Sequence, residues 1–208
     1  MFVDALPAGT RTNLAILGDT GLANPFYLAG GTAAALHLGH RISVDLDFFG
    51  PEAFDSAELA GQLAEVGQFQ LDRIAPDTLL GDLMGVKISF FRYRYPMLAE
   101  PTIVSAVRIA SLPDIAAMKL DAVSRRGTKR DFVDLYFIAQ SGISLSDAVA
   151  WYQRKYAGLD VNVVHVVKSL AYFADAELDP SPRMLVNFSW DAAKRFFQQE
   201  AKSLLKTL

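Results

Sequence analysis

No cysteine occurs in the 208 residues, which excludes a disulfide framework, a thiolate metal centre and a cysteine nucleophile. No apolar run approaches bilayer-spanning length, and the N-terminus, MFVDALPAGT, lacks the basic and apolar regions of a signal peptide. Charge of one sign is also lacking. A net charge of −3 argues against a protein held to nucleic acid mainly by electrostatics, while leaving room for a local basic patch. Internal repeats and low-complexity tracts are absent. What remains is 51% apolar and 21% charged, a globular balance on a chain long enough for a substantial core. A cytoplasmic protein without a membrane partner is the expectation.

The informative stretch is residues 26–49, FYLAGGTAAALHLGHRISVDLDFF. Phe26 to Ala29 reads as a short buried strand. Gly30-Gly31 breaks it, Thr32 opens an alanine-rich helix, and Gly39 closes that helix. A strand feeding a glycine turn and a helix start leaves backbone N–H groups converging on one point, which is a phosphate site. In the strand that follows, alternation puts Val44, Leu46 and Phe48 on one face and Asp45 and Asp47 on the other. Paired carboxylates offer the oxygen ligands that Mg²⁺ prefers. Beside a bound triphosphate they suit in-line phosphoryl or nucleotidyl transfer. Between the two features, Arg41 either neutralises Asp45 or Asp47 or holds a phosphate. His37 and His40 lack the spacing of a zinc site.

The GG[ST] turn followed at short spacing by DxD resembles the signature of DNA-polymerase-β-like nucleotidyltransferases. The longer string GGTAAALHLGHRISVDLDFF, with SLPDIAAMKLDAVSRRGTKRDFVDLYFI further on, resembles the AbiEii/AbiGii toxin family. The likeness runs from Phe26 to Ile138. It implies a metal-dependent transfer of NMP from an NTP to an acceptor such as RNA or a tRNA end. It also implies Mg²⁺ or Mn²⁺ at Asp45 and Asp47, and a toxin paired with a cognate antitoxin. Polymerase-β-like enzymes bring a third carboxylate on a later strand, and here Ser89 stands at the matching position, beside Lys87, which could face the triphosphate. That departure motivates the alternatives: a catalytically weak NTP-binding module, or a phosphotransferase using the same metal site.

Elsewhere the pattern alternates over 68–74, 85–94 and 103–109, and is helical over 5–21 and 55–66. From Ser111 onward only helical patterns follow, over 112–125, from Thr128, from Ser144 to Tyr156, over 161–173 and over 189–208. The fold class implied is α+β: a nucleotidyltransferase-type mixed sheet with flanking helices in residues 1–110, and a C-terminal helical bundle in 111–208. Lys119 falls in the apolar stripe of its helix, so it must either snorkel out or meet an anion. The resemblance makes that anion a nucleotide phosphate. Asp131 and Asp134 match the family's [KR]-x-D-F-x-D-L pattern, as base or as the missing third ligand, and spacing does not choose between them. Arg125, Arg126, Lys129 and Arg130 form the one basic cluster.

Overall fold

The computed structural model describes all of residues 1–208. Seven strands form one mixed sheet: β1 (Tyr27–Leu28), β2 (Leu46–Gly50), β3 (Phe69–Ala75), β4 (Thr78–Leu83), β5 (Val86–Arg92), β6 (Thr102–Val104) and β7 (Val107–Ile109). Their order is β3-β4-β5-β2-β1-β7-β6. β2 runs parallel to β5 and antiparallel to β1, while β1 runs parallel to β7. The chemistry-bearing strand β2 is therefore central. Alternation holds along it, with Leu46 and Phe48 fully buried and Phe48 stacked on Phe90 of β5 at 4.9 Å between ring centroids.

Val44 and Asp45 precede the strand, which starts at Leu46, contrary to the alternation read from the sequence over residues 44–48. Val44 is 47% exposed. This segment is instead pinned from other directions: the Ser43 amide donates to the Ala5 carbonyl and the Ile42 amide to that of Arg183.

The helices are α1 (Ala8–Asp19), α2 (Gly30–Leu38), α3 (Ser56–Val66), α4 (Leu112–Arg125), α5 (Lys129–Gln140), α6 (Leu145–Lys155), α7 (Val163–Ser169), α8 (Ala174–Leu178) and α9 (Trp190–Leu204). Their starts follow from local capping chemistry. Asp55 accepts from the amides of Ala57 and Glu58, and Ser111 accepts from that of Asp114. Ser144 and Asp147 form a reciprocal capping box. α2 packs against both α4 and α5, which brings the glycine turn beside the first half of α5.

One cluster of 42 buried apolar residues runs from Leu6 to Ala201, through strands and helices alike. The last strand ends at Ile109, and every element from Leu112 onward is a helix. No helix is long and apolar enough to cross a membrane.

Candidate active site

The two glycines that open α2 have separate physical reasons. Gly30 lies in the left-handed region at φ +66°, and a Cβ there would come 3.1 Å from the Asp47 carboxylate. A Cβ on Gly31 would lie 2.2 Å from an Arg41 guanidinium nitrogen. Both positions are thus close approaches of backbone to a charged side chain. Ala29 caps α2 without a side-chain hydrogen bond, so the first amides of the helix have no intrahelical acceptor.

The Thr32 hydroxyl is engaged within the protein. It bonds the Asp45 carbonyl and lies 2.9 Å from Ser43 Oγ. Its function in this site is to tie the helix start to the backbone that carries the carboxylates.

Gly31, Thr32, Arg41, Ser43, Asp45 and Asp47 line one cavity of about 190 Å³, together with Lys119, Arg126, Thr128, Arg130 and Asp131. No apolar side chain borders it. The helix start and the acidic pair therefore look into one shared space. A second cavity of about 400 Å³ adjoins it and shares Gly31, Asp47, Lys119, Arg126 and Asp131. Its remaining wall includes Phe49, Phe91, Tyr93 and Tyr156, with Asp121 and Arg125 at one side.

Electrostatics divide the carboxylates into two kinds. Asp134 is completely buried and receives Arg41 in a two-pronged contact, Nε to Oδ1 at 2.6 Å and Nη2 to Oδ2 at 2.9 Å. It also accepts from His40 Nε2 at 2.8 Å and pairs with Lys119 Nζ at 2.6 Å. Asp131 accepts from Lys119 Nζ at 2.9 Å, Arg126 Nε at 3.2 Å and the Thr128 hydroxyl at 2.6 Å. Burial alone would raise both pKa values. The Lys119 ammonium, with Arg126 at Asp131 and Arg41 at Asp134, outweighs it, holding Asp131 at about 2 and Asp134 well below the usual range.

Asp47 is the opposite case. Burial pushes its pKa up, Asp45 adds to the effect, and the neighbouring Ser89 hydroxyl opposes it. It forms no salt bridge, and Asp45 meets only Arg130, at 3.9 Å.

Several readings of the sequence change here. Arg41 forms no ion pair with Asp45 or Asp47: its guanidinium grips Asp134 and donates to the Ile42 carbonyl, and the residue lines the polar cavity from that position. His40 is an Asp134 partner. Lys119 does meet anions, but they are Asp131 and Asp134. Asp134 borders neither cavity and has no carboxylate oxygen left for a metal or a proton. Lys87 stays outside the site: it lies beyond the paired end of β2, is 66% exposed, and bonds Asp72 at 2.9 Å. Lys129 turns away from the cluster to the Asp179 carbonyl and the Trp190 ring.

Ser43 has no motif to mark it, and Thr128 reads as the cap of a capping box; the structure puts Thr128 at the cap of α5 without that backbone bond, its hydroxyl donating to the Asp131 carboxylate. The aromatic wall could be found only as alternation on β2 and β5, because Phe49 and Phe91 occupy the strand face opposite the core.

The chemistry of the donor set suits a divalent cation. Asp47 is a mostly buried carboxylate without a paired cation, beside Asp45 in an all-polar cavity. No third histidine, cysteine, aspartate or glutamate gathers with them. Ser89 is the register partner of Asp47 across the parallel β2/β5 pair. Two carboxylates with water and substrate phosphates are a sufficient ligand set for Mg²⁺.

Comparison with known proteins bears on the fold and the family. A protein from Aquifex aeolicus described as uncharacterised is 38% identical over 191 residues, covering 89% of this chain and 91% of that one. Among solved structures, JHP933 from Helicobacter pylori aligns with a TM-score of 0.57 at 19% identity, over 98% of this chain and 94% of that one. MenT4, a nucleotidyltransferase toxin from Mycobacterium tuberculosis, aligns at 0.51 and 16% identity, over 96% and 83%. These likenesses show a shared nucleotidyltransferase fold. The family profile described as nucleotidyl transferase AbiEii toxin, type IV TA system, matches residues 14–98 and 88–203, and the chain belongs to that AbiEii nucleotidyltransferase family.

Proposed function

We propose that the protein transfers a nucleoside monophosphate from an NTP to an acceptor hydroxyl, with a divalent cation at Asp45 and Asp47. The observation that carries this reading is the single polar cavity in which the α2 N-terminus, the Asp45 and Asp47 carboxylates and the Arg126 and Arg130 side chains converge. Helix N-terminal amides, guanidinium groups and carboxylates around one space are together complementary to a metal-bound triphosphate. The adjoining aromatic compartment is where a base and sugar fit.

In this reading the amides of Gly31 and Thr32 orient the phosphates, while Arg126 and Arg130 offset their charge. A cation held by Asp45 and Asp47, Mg²⁺ or Mn²⁺, supplies further neutralisation of phosphate oxygens. The acceptor oxygen forms a bond to the α-phosphorus, and the bond from that phosphorus to the α–β bridging oxygen breaks. Pyrophosphate departs with the electron pair, and the acceptor proton leaves to water in the open cavity. Asp131 is a poor proton acceptor because its cation partners hold its pKa low. Its role, with Asp134, is to position Lys119 and Arg126 at the cavity wall.

The acceptor is RNA, including a tRNA end, and the biological setting is growth arrest in the cytoplasm, countered by a cognate antitoxin. Support comes from the family membership. The second reading, an NTP-binding module with weak catalysis, is favoured by Ser89 standing opposite Asp47 where a third carboxylate is expected. Incubation with α- and γ-labelled NTPs, Mg²⁺, total RNA and total protein separates the outcomes. Label from the α position on RNA is the expected result. Transfer of γ label points to a phosphotransferase, and retained NTP binding without label points to the module.

A further inference from the structure

A third cavity, of about 400 Å³, opens between the α4–α5 turn and α7. Its wall contains Arg125, Arg126, Lys168 and His165, with Asp175 as its one carboxylate. Three permanent cations meet one acid on this wall; two of them, Arg125 and Arg126, also pair with Asp121 and Asp131 outside it, which leaves Lys168 as the unpaired charge of a local basic surface on a chain whose net charge is −3. The composition of the whole protein therefore conceals it.

Two further observations give the surface a direction and a chemistry. Arg125 and Arg126 also border the aromatic compartment, and Arg126 reaches the cavity holding Asp45 and Asp47. The three cavities thus lie side by side around Arg126, the innermost being the one that holds Asp45 and Asp47. In the wall of the outermost one, Tyr172 is 61% exposed, an apolar ring held in water beside the cations. The α7 ammonium is not explained by internal ion pairing: Lys168 is exposed and meets no carboxylate, while the neighbouring His165 contacts the Ser124 carbonyl at 3.2 Å.

We propose that this cavity seats the single-stranded end of an acceptor nucleic acid, with Lys168 and Arg125 on its phosphates and Tyr172 stacked on an unpaired base. The proposal rests on the nucleotidyl-transfer reading for its direction, since the strand must lead its terminal hydroxyl past Arg126. Backbone-tracking cations combined with an exposed aromatic platform are the recognition chemistry of unpaired strands. A duplex, whose bases are stacked internally, would leave Tyr172 without a partner.

The test uses the full chain and a short 5′-labelled single-stranded RNA, followed by fluorescence anisotropy over a range of salt concentrations. The variants are Lys168→Glu, Lys168→Arg and Tyr172→Ala. Both positions are exposed and lie outside the two inner cavities. Lys168→Glu is expected to weaken binding about tenfold and to lower the salt slope by about 0.7, the share of one phosphate contact on a single strand. Lys168→Arg should bind as the wild type does. Tyr172→Ala should weaken binding at least about fivefold, the lower end for one stacked base.

Wild-type affinity in both Lys168→Glu and Tyr172→Ala overturns the proposal, as does equal affinity of the wild type for an acidic peptide of matched charge. NTP binding by equilibrium dialysis is read in parallel. Loss of RNA affinity with NTP binding retained supports the strand site. A wild type that binds RNA through these residues but no NTP contradicts the transfer reading alone.

Discussion

Asp134 is the residue on which the site's geometry turns, although it borders neither inner cavity. Arg41, His40 and Lys119 all converge on it in the interior, and removing its charge leaves two buried cations undercompensated. Asp134→Asn should cost about 3–5 kcal/mol of stability, read by chemical denaturation. Asp47→Asn should do the reverse in metal-free buffer. Its folded-state pKa is raised, so at neutral pH its ionised form weighs against the fold, and the variant should be no less stable than the wild type while losing transfer activity. Gly31→Ala would drive a methyl group into the Arg41 guanidinium, with an expected loss of about 1–3 kcal/mol in a thermal or denaturant melt. At this scale the sequence was readable where chemistry is local: the glycine turn and the DxD pair were visible from spacing alone. The partners of Arg41 and Lys119 were not, because Asp134 lies 93 residues from Arg41 and only the packing of α2 against α5 brings them together.

Among the elements, those with local signals were legible and those without were missed. Ser111, Asp55 and the Ser144–Asp147 box announced α4, α3 and α6, and each forms the expected cap. The stretch 103–109 reads as one strand yet folds as a hairpin, β6 to β7. Its turn residues Ser105 and Ala106 both adopt positive φ, at +48° and +58°, without the glycine or asparagine that usually marks such a turn. β4 was missed because Asp77, also at positive φ, turns the chain directly back after β3. α4 and α6 are joined by a buried ion pair, Asp114 to Lys155 at 2.7 Å, and the same Asp114 accepts the Leu98 amide at 2.9 Å while Lys155 reaches the Pro96 carbonyl. This pair clamps the loop after β5 that carries Tyr93 and Tyr95. Lys155→Met leaves the fully buried Asp114 carboxylate without its cation and should therefore cost about 3–5 kcal/mol of stability, read by chemical denaturation, and the protein that still folds should bind NTP more weakly in equilibrium dialysis, because the aromatic wall loses its anchor.

For the molecule as a whole, pH and cooperativity follow from the same features. The depressed pKa values of Asp131 and Asp134 contribute stability that is complete above the ordinary carboxylate pKa near 4 and is lost as pH falls below it. Asp131 alone should account for about 2–3 kcal/mol between pH 4 and its folded-state value of about 2. Acid unfolding below pH 4 that is blunted in Asp131→Asn would show it. The single core running through strands and helices predicts one unfolding transition, coincident by circular dichroism and by Trp151 and Trp190 fluorescence. The α+β class was readable because hydrophobic period changes from strand-like to helical at Ser111. The adjacency of the three cavities was not, because it depends on how three helices and the sheet are set against each other.

The central claim is that triphosphate and metal share the cavity beside Asp45 and Asp47. Calorimetric titration of an NTP into the wild type and into Asp45→Ala, with Mg²⁺ and with chelator, tests it most directly. The account predicts that Mg²⁺ tightens nucleotide binding at least about tenfold in the wild type, a coupling of about 1.4 kcal/mol, and has no such effect in the variant. Equal Mg²⁺ enhancement in both proteins, or none in either, would contradict it.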